Sequence, residues 1–267
     1  MAARTRPPYL TRLARKIRRA PGSRSNVART AWRALALTVL DRPLGDVQRW
    51  EQRFCSQNGE DGVLDAIFRV VGTTNRYHVE FGTENGDQCC TRWLAEARGW
   101  HGLLMDGDHD RPEINLHREF ITAENINALF ARYGVPDAFD LLVIDIDGND
   151  YWVWQRLDAR YQPRVVVIEY NASVPPPARR TIAYDPAFTW AGTDYHGASL
   201  SALEALGASR GYALVGCDSA GVNAFFVQDS LLGSRLRRLT AAAAYRPAAF
   251  DEFDAGHPHD ARAMIEV

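Results

Sequence analysis

Tyr77-His78-Val79-Glu80-Phe81-Gly82-Thr83-Glu84-Asn85-Gly86 is the stretch that decides how this chain folds. An apolar run ends in an acid, enters a G-x-x-x-G turn and leads into a helix-like segment at 89–98. A second apolar run, Gly102-Leu103-Leu104-Met105-Asp106, ends in a carboxylate 20 residues after Gly86. Strand, glycine turn, helix and acid-tipped strand form the unit with which open α/β sheets hold an adenosine ribose. A carboxylate at the tip of the second strand accepts hydrogen bonds from both ribose hydroxyls more strongly than a neutral group would.

The turn excludes the commonest nucleotides. A dinucleotide site needs G-x-G-x-x-G, and here Glu84 stands where the central glycine should be. A carboxylate beside a pyrophosphate repels it. No Gly-Lys-Ser/Thr follows the turn, so it is not a phosphate-binding P-loop. The acids point instead to a phosphate-free, positively charged adenosyl compound such as S-adenosylmethionine.

At 267 residues the chain is long enough for one full core with an appended segment. Its net charge of −2 hides an asymmetry: residues 1–42 hold eleven Arg or Lys against Asp41, which leaves the remainder strongly acidic. Such a remainder repels nucleic-acid phosphates, so no nucleic-acid partner is expected. Cys55, Cys89, Cys90 and Cys217 form neither a C-x-x-C pair nor a disulfide framework, and a reducing cytoplasm is the default expectation. Cys89 and Cys90 are expected within the helix, where one of them packs inward. The longest apolar stretch near the start, 34–40, is too short to span a membrane and lacks a secretory cleavage site.

Three regions follow: a basic N-terminal extension (1–50), a core domain (51–230), and a C-terminal helix with a polar tail (231–267). The extension reads as a helical or flexible leader; the sharper alternative is weak peripheral attraction to an anionic membrane. Ser56-Gln57-Asn58-Gly59-Glu60-Asp61 precedes a periodic helix through Val63, Ile67, Phe68 and Val71. Strands are expected at 77–81, 102–106, 119–122, 141–146, 165–169, 212–216 and 224–227, the first five separated by helices. That alternation predicts an α/β fold with a doubly wound, mostly parallel seven-stranded sheet. The short turn at 217–222 makes the last two strands an antiparallel hairpin. The aromatic-rich connection 171–198 reads either as a substrate-facing lid or as a loop packed on its own aromatics. A homodimer is compatible with the sequence.

The run 56–61, the Glu80–Gly86 turn, Asp140-Leu141-Leu142-Val143-Ile144-Asp145-Ile146-Asp147-Gly148, Val167-Ile168-Glu169, residues 211–215 and residues 223–227 together resemble FkbM-type methyltransferases. The likeness covers roughly 54–228. It implies a class I, Rossmann-like, S-adenosylmethionine-dependent fold that methylates hydroxyls of sugars and secondary metabolites. Two departures stand out. Asp145, Asp147, Asn149 and Asp150 cluster where that family is acid-poor, and Asp106-Gly107-Asp108 replaces the usual Glu before proline, which shortens the reach to the ribose.

By position, Glu80 supports the methionine end of the cofactor, Gly82 and Gly86 let the backbone approach it, and Asp106 takes the ribose. Ala123 and Glu124, after the third strand, fall where the adenine ring sits; Asn125 is equally a helix cap. Asp145 belongs to the cofactor wall. Asp147, Glu169 and Asn171 form an oxygen-only set suited to Mg²⁺. Two alternatives remain for the acids: active-site carboxylates without metal, or caps for the helix at 151–157. The general base is first His196, in the lid, and second Asp150. His78 and His101 read as structural, and His257 and His259 in the tail are given no role.

The expected activity is O-methylation of a small hydroxylated molecule, with a divalent ion assisting. N-methylation of a small amine and a non-catalytic cofactor-binding module are the rivals.

Overall fold

Ala138–Ile144 reads Ala-Phe-Asp-Leu-Leu-Val-Ile, and all but the first residue are buried. Such a run suits a strand covered on both faces by helices. In the computed structural model, which describes residues 43–250 and 256–267, this strand (β4) lies at the centre of a seven-stranded sheet. The basic extension lies, through residue 42, outside the described residues. The single charge in the run, Asp140, is fully buried and accepts hydrogen bonds from Thr74 N, Thr74 Oγ1 and Arg76 N, with Arg164 Nε at 3.6 Å. It fastens the loop that leads into the first strand.

That strand, β1 (Tyr77–Phe81), pairs in parallel with β4 and with β2 (His101–Asp106). Beyond β2 lies β3 (Leu116–Arg118), and on the other side of β4 lies β5 (Gln162–Glu169), both parallel to their neighbours. β7 (Tyr212–Cys217) and β8 (Asn223–Gln228) form the expected antiparallel hairpin, with β8 seated between β5 and β7. The order is therefore β3-β2-β1-β4-β5-β8-β7. This is the doubly wound, mostly parallel sheet with a C-terminal antiparallel hairpin that the alternating pattern predicts.

Helices cover the sheet: α1 (Glu60–Val71), α2 (Arg92–Arg98), α3 (Ile126–Arg132), α4 (Asp150–Arg156) and α5 (Leu200–Ser209). Val63, Leu64, Ile67 and Phe68 recur at helical spacing along α1 and are buried. On α4, Trp154 is buried edge-on against Phe226 and Tyr212. In front of α1, Asp61 Oδ2 accepts from the backbone amides of Phe54, Cys55 and Ser56.

Three boundaries differ from expectation, each for a local reason. The third strand runs at 116–118, not 119–122, because Leu116 is the residue that buries beside β2; Phe120 is already 48% exposed. α2 begins at Arg92, after Cys89 and Cys90, because the Glu80 carboxylate takes the amides of Cys90 and Thr91. Both cysteines are nevertheless buried. Among the described residues after Gln228 the helical content is a short 3₁₀ turn and one turn of α6 (Ala241–Ala244). The chain then returns, and β9 (Ile265–Glu266) pairs antiparallel with β6 (Arg180–Thr181) in the long 171–198 connection. Among the described residues no helix is long and apolar enough to cross a membrane.

Candidate active site

Connections run one way from β1 to β2 and β3, and the other way from β4 to β5. Ligands of open α/β sheets bind at that reversal, beyond the carboxyl ends of the strands. Two cavities open there. One, of about 270 Å³, is lined by Gly82, Asp106, Gly107, Asp108, the 119–121 segment, Asp147 and the lid residues Phe188 and Trp190. The other, of about 310 Å³, is lined by Glu60, Glu80, Glu84, Asp145, Asp147 and Glu169, with Trp190, Phe250 and His257. Gly82, Asp147 and Trp190 border both. The 171–198 connection thus borders both cavities through Trp190 and also packs on its own side chains: Tyr195 and Ile182 within it are buried, and Phe188 lies against Gly148, where a Cβ would come within 2.5 Å of its ring.

The two glycines also serve the packing around the turn. At Gly82 (φ +73°) a Cβ would fall 1.3 Å from the backbone oxygen of Asp145. Only glycine lets the ends of β1 and β4 meet this closely. Gly86 (φ +76°) packs on Ile114, whose Cδ1 lies 2.6 Å from the Cβ position. Gly82 is thus required by the close approach of the ends of β1 and β4 and also borders both cavities, whereas Gly86 packs on the 112–114 turn and borders neither.

Asp106 stands where the ribose was placed, at 9% exposure. Its Oδ1 already accepts from the amides of Asp108 and His109 and lies 2.8 Å from His109 Nδ1; its Oδ2 accepts from Glu84 N at 2.8 Å. A carboxylate has about four acceptor sites, so Oδ2 retains room for one hydroxyl, not both. Glu80 is buried and accepts from Cys90 N, Thr91 N and Thr91 Oγ1, so it braces the turn while bordering the larger cavity. Ala123 and Glu124 do not line either of these cavities: the Ala123 amide donates to the Tyr184 hydroxyl, which donates to Glu124. Phe120 and Ile121 line the smaller cavity instead, because β3 ends earlier than the sequence suggested. Asn125 ties down this loop, accepting from Thr122 N and donating to Phe120 O.

The acids gather as the sequence suggested, with one exchange. Asp145, Asp147 and Glu169 each offer a carboxylate oxygen within 4.8 Å of the other two. Asn171 is not among them. Its Oδ1 accepts from Ser173 N and Ser173 Oγ, and its Nδ2 donates to Asp194 O and His196 O, so it anchors the lid and has no lone pair for an ion. Asp145, expected on the cofactor wall, takes its place. Asp150 is fully buried; Oδ1 accepts from Ile146 N and Oδ2 from Gly148 N, which holds the β4–α4 loop and removes it as a candidate base. Asp147 sits in that loop at φ +55°, a conformation that clusters at functional sites.

Burial, followed by the neighbouring carboxylates, raises Glu169 well above the carboxylate range; Asp145 rises for the same reasons. Asp147 is pushed up to about 6, chiefly by desolvation and then by Asp150. Glu169 Oε2 is buried without a hydrogen-bond partner. Three crowded carboxylates, one with an orphaned oxygen, fit a hard divalent cation: Mg²⁺ takes oxygen ligands and keeps several waters. His196 Nδ1 stands 3.5 Å from that same oxygen, too far to satisfy it. Burial lowers the pKa of His196 although Asp150, Asp147 and Asp194 oppose the shift, and this favours the neutral ring.

His78 is structural as expected, buried and brought down to about 3 by desolvation. The sequence reading missed Glu60 as a wall of the site. It is 1% exposed at the start of α1, accepting from Asn58 N and Asn223 Nδ2. His257 was missed altogether: its ring lies 4.6 Å from Trp190 and 5.5 Å from His196. Nothing in the local sequence of the tail announces this, since it depends on the return of the chain to β6.

No family model and no curated relative match this chain. Among solved structures, a candidate O-methyltransferase from Klebsiella pneumoniae is similar at 18% identity, with a TM-score of 0.40, over 71% of this chain and 90% of that one.

Proposed function

We propose that the protein is an S-adenosylmethionine-dependent O-methyltransferase of the FkbM type, acting on a hydroxyl of a small molecule with a divalent ion assisting. One observation carries this reading: the larger cavity is walled by six carboxylates, and no arginine or lysine is among its lining residues. A pyrophosphate coenzyme would meet only repulsion there, whereas a sulfonium with an ammonium group, and a metal ion, are attracted.

In this reading Phe120 and Ile121 would border the adenine of the donor, Asp106 Oδ2 would accept from a ribose hydroxyl, and Glu60 and Glu84 would face the methionine end. Asp145, Asp147 and Glu169 would hold Mg²⁺, which when bound lowers the pKa of a coordinated hydroxyl. His196 is the neutral group nearest this trio and takes the hydroxyl proton. When bound, the donor would supply an activated methyl group to the acceptor oxygen, the carbon–sulfur electron pair staying on sulfur to leave S-adenosylhomocysteine. Alignment of oxygen, carbon and sulfur supplies most of the rate, and the lid residues Phe188 and Trp190 keep water from the line of attack.

Calorimetry tests it. S-adenosylmethionine should bind and NAD⁺ should not, and Mn²⁺ or Mg²⁺ should bind wild type but not Glu169→Gln. Heat with NAD⁺ and none with S-adenosylmethionine overturns the proposal. Metal-independent methylation in EDTA overturns the metal part alone.

A further inference from the structure

The cavity beside the acidic trio has a wall that comes from outside the sheet. It measures about 220 Å³ and is bounded by Glu169, Asn171, His196, Phe250 and His257, among others. His257 borders both this cavity and the 310 Å³ cavity that holds the carboxylates. Its ring is one member of an aromatic cluster: Trp190 at 4.6 Å, Phe250 at 4.9 Å and His196 at 5.5 Å between centroids.

The backbone around His257 is held in place. Asp194 N donates to Pro258 O at 2.9 Å, Asp260 N donates to Asp194 Oδ1 at 2.7 Å, and Thr193 Oγ1 bonds Asp260 Oδ2 at 3.0 Å. Arg262 lies over the Tyr195 ring at 4.1 Å, and β9 pairs with β6 a few residues later. A half-buried imidazole fixed by so many contacts outside itself presents a rigid face.

We propose that His257 supplies the face on which the acceptor ring lies, so that the C-terminal segment selects the acceptor while the sheet binds the donor. This rests on the methyltransferase reading and deepens it. A volume of 220 Å³ is that of about seven waters, enough for one six-membered ring with small substituents. Of the acidic trio, Glu169 borders this same cavity, so a hydroxyl on that ring can reach the acids. The ligand chemistry is thus a hydroxylated six-membered ring with an apolar face, either an aromatic diol or a pyranoside.

The test uses the full-length protein with Mg²⁺ and S-adenosylmethionine, and 3,4-dihydroxybenzoate and methyl β-glucopyranoside as probes. Wild type should methylate at least one of the two, and which one tells aromatic from sugar. His257→Ala should raise KM for that probe about tenfold, the scale of a lost ring contact, with kcat and donor affinity changed less than about twofold. His257→Phe should restore KM. Loss of kcat in both variants would make His257 a proton-transfer group and overturn the proposal, as would an unchanged KM in His257→Ala. Donor binding without methylation of either probe overturns the ring assignment and leaves the methyltransferase reading standing. Absence of donor binding by wild type overturns both.

Discussion

Asp147→Asn should make the metal-free protein more stable and the metal-bound protein less so. Asp147 ionises at about 6 in the fold against 3.8 in an open chain. A shift of about two units is worth roughly 3 kcal/mol if undiminished, but Asp147 is an exposed residue, and screening reduces the effect to about 1 kcal/mol. The sign follows from linkage. A carboxyl whose folded pKa is raised favours the fold while it is protonated, below pH 3.8, and that contribution is lost as pH rises through about 6. Asparagine carries no such loss, and it tolerates the φ of +55° found here. In EDTA at pH 7.5 the variant should therefore melt about 2–4 °C above wild type, and the gap should close toward pH 4. Magnesium should reverse the order: at ten times Kd, ion binding stabilises wild type by about 1.4 kcal/mol, and the variant should lose most of that gain. Scanning calorimetry at pH 4.5, 6 and 7.5, with and without Mg²⁺, measures all of this. If the variant melts below wild type in EDTA, or the gap is independent of pH, the account of Asp147 as a carboxyl raised by desolvation and by Asp150 is wrong.

Gly82→Ala should destabilise the fold by more than about 3 kcal/mol, measured by urea denaturation, because the new methyl falls 1.3 Å from Asp145 O at a positive φ. Near-native stability would mean that the ends of β1 and β4 are not so close. Asp61→Ala strands the amides of Phe54, Cys55 and Ser56 and should cost about 3 kcal/mol in the same assay; a cost below about 1 kcal/mol would refute the bracing role. Thiol titration of the native protein should detect Cys55 readily. Cys89, Cys90 and Cys217, buried with their thiols pushed up by desolvation, should react only in denaturant. Rapid reaction of Cys90 in the native protein would contradict its burial beside Glu60 and Glu80.

The sheet was legible because its signals are local: each buried strand is a contiguous apolar run, and the crossovers are periodic helices. Where a carboxylate acts at a distance, legibility ended. Glu80 displaces the start of α2 by capturing two amides, and sequence spacing does not show which amides an acid will reach. The site was half legible for a related reason. Asp145, Asp147 and Glu169 end neighbouring strands, so topology alone brings them together. Asn171 lies only two residues past β5, yet its hydrogen bonds belong to Ser173 and the lid. His257 needed the pairing of β6 with β9, two residues each, too short to stand out in any window.

The insertion of β8 between β5 and β7 has a consequence for synthesis. When β5 leaves the ribosome, Val165, Val166, Val167 and Ile168 present an apolar strand with one open side. Its partner, beginning at Asn223, is made roughly 54 residues later, about 3–10 s at usual elongation rates. During that interval the growing chain carries an adhesive edge, and a chaperone able to shield it would raise the yield of the finished protein more than any change to the mature surface.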